Sequence, residues 1–344
     1  LGTRARLVSL EQSVLLRAIQ AFMNVRATTE TVALRQSNVR LITQELRAAR
    51  DRFEVGEITR TDVALAEARL ASARSALAAA EGDLIRSHEE YRASVGHKPG
   101  NLRPPKNLPK TANSVEKAKS IAVRGHPDMQ AVQHDVAAAD LNVARADAAM
   151  RGTVRLRGGL NRTQTPSANT STNAGSLSLE ATVPIYQGGR LNALHRQAMA
   201  RRDAARSGLH ITRHQIQQNV GNAFAQLRVS RASRDASERQ IRAATVAFRG
   251  VREEAAVGSR TTLDVLNAEQ ELLDARSGLI GVQTNEFIAA YSALAAMGLL
   301  TAEHLNLPVQ QYDPTAYYKL VKDAPARSVQ GDKLDRVLRS LNKN

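Results

Sequence analysis

One stretch of this sequence occurs twice, at a constant distance. VGEITRTDVALAEARLASAR occupies residues 55–74 and VGSRTTLDVLNAEQELLDAR occupies residues 257–276, so each residue pairs with the one 202 places later without a gap. Ten of the 20 pairs are identical. Self-similarity at a fixed spacing indicates that the chain builds the same supersecondary unit twice.

Each copy carries the signals of a helix end followed directly by a helix start. A glycine after an apolar residue suits a left-handed C-terminal cap. A Thr with an Asp three residues later has the spacing of a capping box for the next helix. Two helical hairpins that turn at these points are therefore predicted. The signals are Gly56, Thr59 and Asp62 in the first copy and Gly258, Thr261 and Asp264 in the second.

The helices predicted on both sides of these turns are long. Residues 1–52 contain no proline and only one glycine, at position 2. One helix of that length would span roughly 75 Å at about 1.5 Å per residue. Gly96 and Gly298 close the two copies at the same offset. In the first copy the predicted helices cover about 1–52 and 61–95. In the second copy one helix covers about 190–256, and the next follows the turn and ends at about 297.

Two apolar seams run side by side along the second helix of each copy. One seam has the alternating three- and four-residue spacing of a coiled coil. Two seams let a helix contact a neighbour on either side, as in a wall or barrel of helices, and a broad apolar face in a helical bundle is the alternative. In the first copy one seam is Val63, Ala66, Leu70, Ala73, Leu77, Ala80, Leu84 and Tyr91, with Ser87 completing it, and the other is Ala64, Ala68, Ala71, Ser75, Ala78, Gly82 and Ile85. In the second copy they are Val265, Ala268, Leu272, Ala275, Leu279 and Val282, and then Leu266, Leu273, Ser277, Ile280 and Phe287.

Between the copies the periodicity changes from helical to alternating. A proline-rich connection at 97–113 and a helix predicted at about 114–150, with a break at Gly125-His126-Pro127, lead to two segments where apolar and polar residues alternate. These segments, 152–162 and 176–186, have the length of a tilted membrane-spanning strand. A half-buried hairpin on a soluble sheet has the same alternation. Alternation alone leaves both structures open.

The segment VPIYQGGRLNALHRQA, residues 183–198, distinguishes between them. An alternating strand, then Pro-Ile-Tyr-Gln-Gly-Gly, then a long helix resembles the second-repeat junction of the outer-membrane efflux proteins, the TolC-like family. The 55–74 and 257–276 stretches are similar to that family's two tip turns. The resemblance covers about residues 1–310, and the tail at 312–325 resembles the C-terminal region of some members. The junction residues are Pro184, Tyr186, Gly188 and Gly189.

The resemblance implies a mainly α fold in which long coiled-coil helical hairpins form an α-helical barrel, and one β-hairpin contributes to a transmembrane β-barrel. The family assembles as a homotrimer in the lipid of the outer membrane, with a long periplasmic extension. It implies a passive exit duct of a tripartite efflux or type I secretion system, which docks to a periplasmic adaptor (membrane fusion) protein and an inner-membrane pump. Such a duct is not an enzyme and needs no cofactor.

The resemblance also divides the chain into segments. Subtracting 202 from the strand pair places its counterpart at about −50 to −16, so we expect the family's N-terminal helix and first two strands to lie outside this sequence. The expected segments are a first-repeat hairpin at 1–96 with its tip at 55–62, a linker at 97–113, an upper-tunnel helix at 114–151, a β-hairpin at 152–186, a second-repeat hairpin at 187–298 with its tip at 257–264, and a C-terminal equatorial segment and flexible tail at 299–344.

Gating at the tip follows from the resemblance as well. In the family, an Arg of the second tip bonds to polar groups of the first tip and holds the pore closed. The matching positions here are Arg260, and Thr61 with Asp62. A family Tyr that makes a second such link falls at Ala255, so that link is expected to be lost.

The family narrows its entrance with two carboxylates per protomer, one helical turn apart. The matching positions are Asp264 and Asn267, so one carboxylate remains. Three Asp264 side chains around a threefold axis would give a single acidic ring suited to binding cations. Helix capping is the alternative role for Asp62 and Asp264, and the two roles can coexist.

Other classes of protein account for less of the sequence. A coiled-coil scaffold explains the seams but neither the alternating segments nor the QGG junction. The formal charge of +15 suggests nucleic acid, but the arginines are dispersed among Asp and Glu and only 3% of residues are aromatic, so no nucleic-acid partner is predicted. His210 and His214 have metal-ligand spacing without a third ligand nearby, and the chain has no cysteine, so no metal or catalytic site is predicted.

Overall fold

The computed structural model describes residues 1–105, 107–165, 170–309, 322 and 329–340. The chain divides into two compact units, Leu1–Leu300 and Thr301–Asn344. Among the described residues, the first contains six helices and two strands, and the second contains a further helix. The elements are α1 (Gly2–Glu54), α2 (Arg60–Val95), α3 (Val115–Gly125), α4 (Pro127–Ala148), β1 (Thr153–Thr165), β2 (Thr170–Thr182), α5 (Arg190–Ala256), α6 (Thr262–Ala296) and α7 (Val329–Ser340).

The two repeats form two helical hairpins with equivalent turns. α1 ends at Glu54 and α2 begins at Arg60, whereas α5 ends at Ala256 and α6 begins at Thr262. Both boundaries differ by the repeat offset of 202 residues, so the prediction of two equivalent turns is confirmed. The break predicted near Pro127 is also present, because proline at the first position of α4 has no N–H to continue α3.

Four long helices pack side by side in the order α2, α1, α6, α5. α1 contacts both α2 and α6, and α6 contacts both α1 and α5. The shorter helices between the two repeats pack against this layer: α4 contacts α5 and α1, and α3 contacts α5. Because α6 lies between two helices, both of its seams have buried members, Leu272 in one and Leu273 in the other. The prediction of two contacting seams is therefore confirmed for α6.

α2 buries only one of its two seams within this chain. Ala66 and Leu70 of the first seam are buried against α1. The second, small-residue seam is exposed, since α2 lies at the edge of the layer. Its exposed members include Ala64, Ala68, Ala71, Ser75 and Ala78.

Alanine alternates with leucine and isoleucine in the buried contacts between helices. One cluster near the tips joins α1, α2 and α6, and a second joins α5 to α6 through alanines. Alanine lets helix axes approach closely, at the lower end of the usual range of about 8–10 Å. The described helices include none that is long and apolar enough to cross a lipid bilayer. The members of the two clusters are Ile42, Leu46, Ala66, Leu70, Ala73 and Leu266, and Leu227, Ala289, Ala290 and Ala293.

The two strands pair with each other as an antiparallel hairpin. Among the described residues, this hairpin has no extensive contact with any helix or with another sheet. Leu156 pairs with Leu179 and Arg155 with Glu180, so the apolar and polar faces of the two strands coincide. The apolar face is exposed, with Leu179 72% and Leu160 96% accessible. A half-buried hairpin on a soluble sheet would hide this face.

The strand limits differ from the predicted ones. β1 continues to Thr165 and β2 begins at Thr170, so both strands extend beyond the predicted segments 152–162 and 176–186 toward each other. Residues 166–169 lie outside the described part of the chain. β2 ends at Thr182, so Val183 and Ile185 are not in the strand. Pro184 explains this end, because proline cannot donate a hydrogen bond to the ladder. The predicted tail at 312–325 lies, apart from residue 322, outside the described residues.

Gly298 and its repeat equivalent Gly96 allow a matched test of the packing at the C-terminal end of α6, where Gly298 lies against His126. Both have positive φ, +76° and +89°. A Cβ at position 298 would lie 2.9 Å from the Cα of His126, whereas a Cβ at position 96 would meet nothing within 4 Å. We predict that Gly96→Ala costs roughly 1–2 kcal/mol for the left-handed backbone alone. Gly298→Ala should cost about 1–3 kcal/mol more, because the clash is with backbone.

Guanidinium unfolding followed by circular dichroism would measure both losses. Equal destabilisation by the two substitutions would show that the contact between Gly298 and His126 does not limit packing there.

Candidate functional site

The two hairpin tips are closed by the same backbone hydrogen bonds. The N–H of Glu57 donates to the carbonyl of Arg52 at 2.9 Å, and the N–H of Ser259 donates to that of Glu254 at 3.0 Å. This six-residue closure is the Schellman arrangement, which requires a left-handed residue just after the helix. Glycine supplies it in both tips, with φ of +78° at Gly56 and +79° at Gly258.

A complete capping box follows each turn. The carboxylate of Asp62 accepts hydrogen bonds from the N–H and hydroxyl of Thr59 at 3.0 and 2.7 Å. Asp264 accepts the corresponding bonds from Thr261 at 3.0 and 2.8 Å. Each Thr hydroxyl accepts the N–H of the Asp in return. The capping role of both aspartates is therefore present in the structure, and a cap of this kind is worth about 1 kcal/mol at the Thr position.

These hydrogen bonds stabilise the ionised form of both aspartates. The hydroxyl of Thr59 is the larger cause that lowers the pKa of Asp62, and the backbone N–H of Thr261 is the larger cause that lowers the pKa of Asp264. A carboxyl whose pKa is lowered by folding adds stability that is present above its ordinary pKa and is lost as pH falls through the lowered value. Both caps are therefore charged and intact at neutral pH.

Arg260 lies in the second tip but pairs within its own turn. Its Nε donates to the carboxylate of Glu254 at 2.8 Å, and both side chains are about half exposed. That bond raises the pKa of Arg260, with a smaller contribution from the charge of Asp264. Within the described residues of this single chain, no hydrogen bond or ion pair joins Arg260 to Thr61 or Asp62. The predicted link between the tips is thus not made here and stays a prediction.

A different polar contact joins the two hairpins near their tips. Asn267 accepts a hydrogen bond from the guanidinium of Arg69 at 3.0 Å. Arg69 is on α2 and Asn267 on α6, so the contact connects the first repeat to the second. Sequence analysis selected Asn267 as a missing carboxylate and missed Arg69, because nothing in the sequence pairs residues 198 positions apart.

A second cross-repeat contact is buried. The amide of Asn38 on α1 donates to Glu269 on α6 at 2.7 Å. Asn38 is 7% and Glu269 4% exposed. Sequence analysis missed this pair as well. A Glu between buried Leu266 and Leu273 on a doubly buried helix is the one signal that could have indicated it.

Further along α6, Glu286 is a second buried carboxylate, and it is paired. Arg234 of α5 donates to it at 2.9 Å, and Arg231 lies 3.7 Å away. Glu286 is 3% exposed, so the arginines provide the compensation that a buried charge needs. This ion pair joins the two helices of the second hairpin.

At the junction between strand and helix, two consecutive glycines begin α5. Gly188 and Gly189 have φ of +57° and +80°, and Gly189 is the N-cap residue. Ile185 and Tyr186 before them are almost wholly exposed. Pro184 ends the strand pairing, so the chain leaves β2 and enters α5 within a few residues. The junction residues thus form one short connection, and their functional role stays a prediction.

Paired hairpins of long helices beneath an exposed hairpin of strands define the fold class of outer-membrane channel-tunnels. A sequence profile described as "Outer membrane efflux protein" matches residues 120–298. Outer membrane efflux protein BepC of Brucella suis biovar 1 (strain 1330) is 36% identical over 315 residues, which cover 91% of this chain and 69% of the relative. The chain therefore belongs to the outer membrane efflux protein family, whose members are outer-membrane channels.

More distant relatives and solved structures agree with this assignment. Outer membrane protein TolC of Escherichia coli (strain K12) is 25% identical, and the match covers 86% of this chain and 63% of TolC. The crystal structure of the Campylobacter jejuni CmeC outer membrane channel superposes with a TM-score of 0.78 at 15% identity, covering 93% of this chain and 68% of that one. The open state of the Neisseria gonorrhoeae MtrE outer membrane channel gives 0.73 at 22% identity, covering 86% and 68%. At these identities the structures show the fold alone.

Proposed function

We propose that this protein is the passive exit duct of a tripartite efflux or type I secretion system in the outer membrane. One observation carries the proposal: a β-hairpin with a continuous exposed apolar face is joined directly to long helices that end in two equivalent tips. The apolar face suits lipid, and the tips suit docking to a periplasmic adaptor and an inner-membrane pump. Such a duct performs no chemistry and is not an enzyme.

The edges of the helical layer support a homotrimer. α2 exposes its small-residue seam at one edge, and α5 lies at the other edge with exposed apolar residues along its length. When one edge of a subunit contacts the opposite edge of the next subunit, the interface is heterologous. Such interfaces build a closed ring if the rotation between neighbouring subunits divides a full turn evenly. The exposed apolar residues of α5 include Ile211, Val229 and Val246.

In such a ring, three copies of Asp264 would lie at the tips around one axis. Each is ionised at neutral pH, as an aspartate ordinarily is, and its hydrogen bonds from Thr261 lower its pKa further. Capping uses the carboxylate without neutralising it, so the same group is able to attract cations. Asn267 beside it is neutral and bonded to Arg69. A single acidic ring per channel is therefore the arrangement that we propose at the entrance.

We predict that Asp264→Asn weakens the block of the channel by multivalent cations, because it removes the only proposed carboxylate ring. Asn267→Asp should strengthen the block, since it adds a second ring one helical turn away. Single-channel recordings of the intact protein in planar lipid bilayers would measure both. Asp62→Asn removes the equivalent first-tip cap and serves as the control for the loss of a capping carboxylate. A chain that conducts no ions would contradict the duct, whereas conduction with unchanged block in Asp264→Asn would move the ring elsewhere.

We further propose that Arg260 leaves Glu254 to bond with the first tip when the tips close. The present ion pair is exposed, and exposed pairs are weak, so the exchange costs little. We predict that Arg260→Ser raises the frequency of opening, up to about tenfold when three symmetric links act together. Arg60→Ser removes the same charge from the first tip and is the matched control. Equal opening frequencies in wild type and Arg260→Ser would place the gate at other residues.

A further inference from the structure

Glu269 is a buried carboxyl whose surroundings differ from those of its repeat equivalent. In the first hairpin the equivalent residue, Glu67, is 51% exposed and pairs with Arg50 at 2.6 Å. In the second hairpin the equivalent of Arg50 is Arg252, which lies 3.8 Å from Glu45 of α1. Glu269 has therefore lost the arginine that the repeat would give it.

The contacts of Glu269 leave its charge uncompensated. Oε1 accepts the amide of Asn38, while Oε2 is buried and accepts no hydrogen bond from any described residue. A buried carboxylate without a bonded cation favours its neutral form. The buried oxygen lies in the contact between α1 and α6, where the two repeats meet.

Charged groups from every neighbouring helix face this position. α1 contributes Glu45 and α2 contributes Arg69. α5 contributes Arg249 and Arg252, which line a groove of about 250 Å³ together with Glu269 and with Arg276 of its own helix. Arg69 is bonded to Asn267 and Arg252 is near Glu45, so neither forms a bond with Glu269. Because Glu269 lines this groove, its carboxyl lies next to space that water can occupy.

We propose that Glu269 is a proton-binding joint between the two hairpins: its protonated carboxyl packs between α1 and α6 without a buried charge, and loss of the proton to solvent leaves an uncompensated charge there that loosens the packing. Ionisation would draw an arginine of the groove toward the carboxylate or expose it to water, and both changes separate α1 from α6 near the tips. The joint goes beyond the proposed exit duct and does not rest on it, because the contact lies within one chain.

The electrostatics agree with this geometry. Burial is the largest cause that raises the pKa of Glu269 from 4.5 to about 7, and the charge of Glu45 adds to it, while Asn38 and Arg69 oppose it. A carboxyl with a raised pKa in the packed state contributes most to packing at low pH, and the contribution falls as pH rises from its ordinary pKa to the raised one. The joint is therefore tightest below about pH 4.5, loosens steadily as pH rises toward 7, and is still losing strength between pH 6 and pH 8.

Hydrogen exchange of the intact protein tests this joint. The measurement compares amides at the start of α6 between wild type and Glu269→Gln at pH 6 and at pH 8, so that the intrinsic pH dependence of exchange cancels. We expect protection in wild type to fall about tenfold relative to Glu269→Gln over this interval, given a carboxyl that titrates near 4.5 when open and near 7 when packed. Glu67→Gln, the exposed repeat equivalent, should follow wild type.

A second variant keeps Glu269 in place. Glu45→Gln removes one negative neighbour and frees Arg252, so the pH at which protection falls should move lower. A ratio between wild type and Glu269→Gln that is the same at both pH values would overturn the proposal. So would a Glu45→Gln variant whose midpoint is unchanged.

Discussion

The contact between α1 and α6 joins the first repeat to the second. Each helix belongs to a different repeat, and their packing turns two separate hairpins into one layer in the order α2, α1, α6, α5. α6 must bury two faces to do this, which explains why its apolar seams are richer in leucine than those of α2. The Asn38–Glu269 pair lies in this contact, and the Arg69–Asn267 pair joins α2 to α6 beside it, so two polar pairs fix the relative positions of the hairpins.

The tips are built differently from the layer. Their turns depend on hydrogen bonds that span at most six residues, through a left-handed glycine and a Thr–Asp capping box. Such bonds hold the shape of a tip without attaching it to the neighbouring tip. A tip can therefore move as a preformed unit when the contacts behind it change, and that combination suits an entrance that has to open and close. The buried carboxyl of Glu269 lies directly behind the second tip.

Local hydrogen bonding also explains which features the sequence could predict. The tip boundaries, the capping boxes and the break at Pro127 were predictable because each is determined by residues within one or two helical turns. The start of β2 at Thr170 was not, because cross-strand pairing extends the ladder into a segment with a loop-like composition. The sequence did not predict the pairing of Arg260 with Glu254. The polar groups of the first tip, Thr61 and Asp62, suit an arginine as well as Glu254 does, so the residue types alone did not distinguish the two partners.

The long-range polar pairs lay beyond sequence analysis for a different reason. Asn38 and Glu269 are 231 residues apart, and their meeting depends on how far α1 and α6 slide along each other. The repeat suggested the wrong environment for Glu269, because its equivalent Glu67 forms an ordinary exposed ion pair with Arg50. Only the packing shows that Glu45, which has alanine as its repeat equivalent at position 247, lies close to Arg252 and leaves Glu269 without a bonded cation.

In the proposed trimeric duct, the two equivalent hairpins of each chain place their tips together at one end. Electron microscopy of the intact protein in detergent, at a resolution that separates helices, would show this arrangement. We expect a threefold tube with six helical tips around one axis at one end and strands at the other. A globular particle, or a tube in which the turns at Gly56 and Gly258 lie at opposite ends, would contradict it.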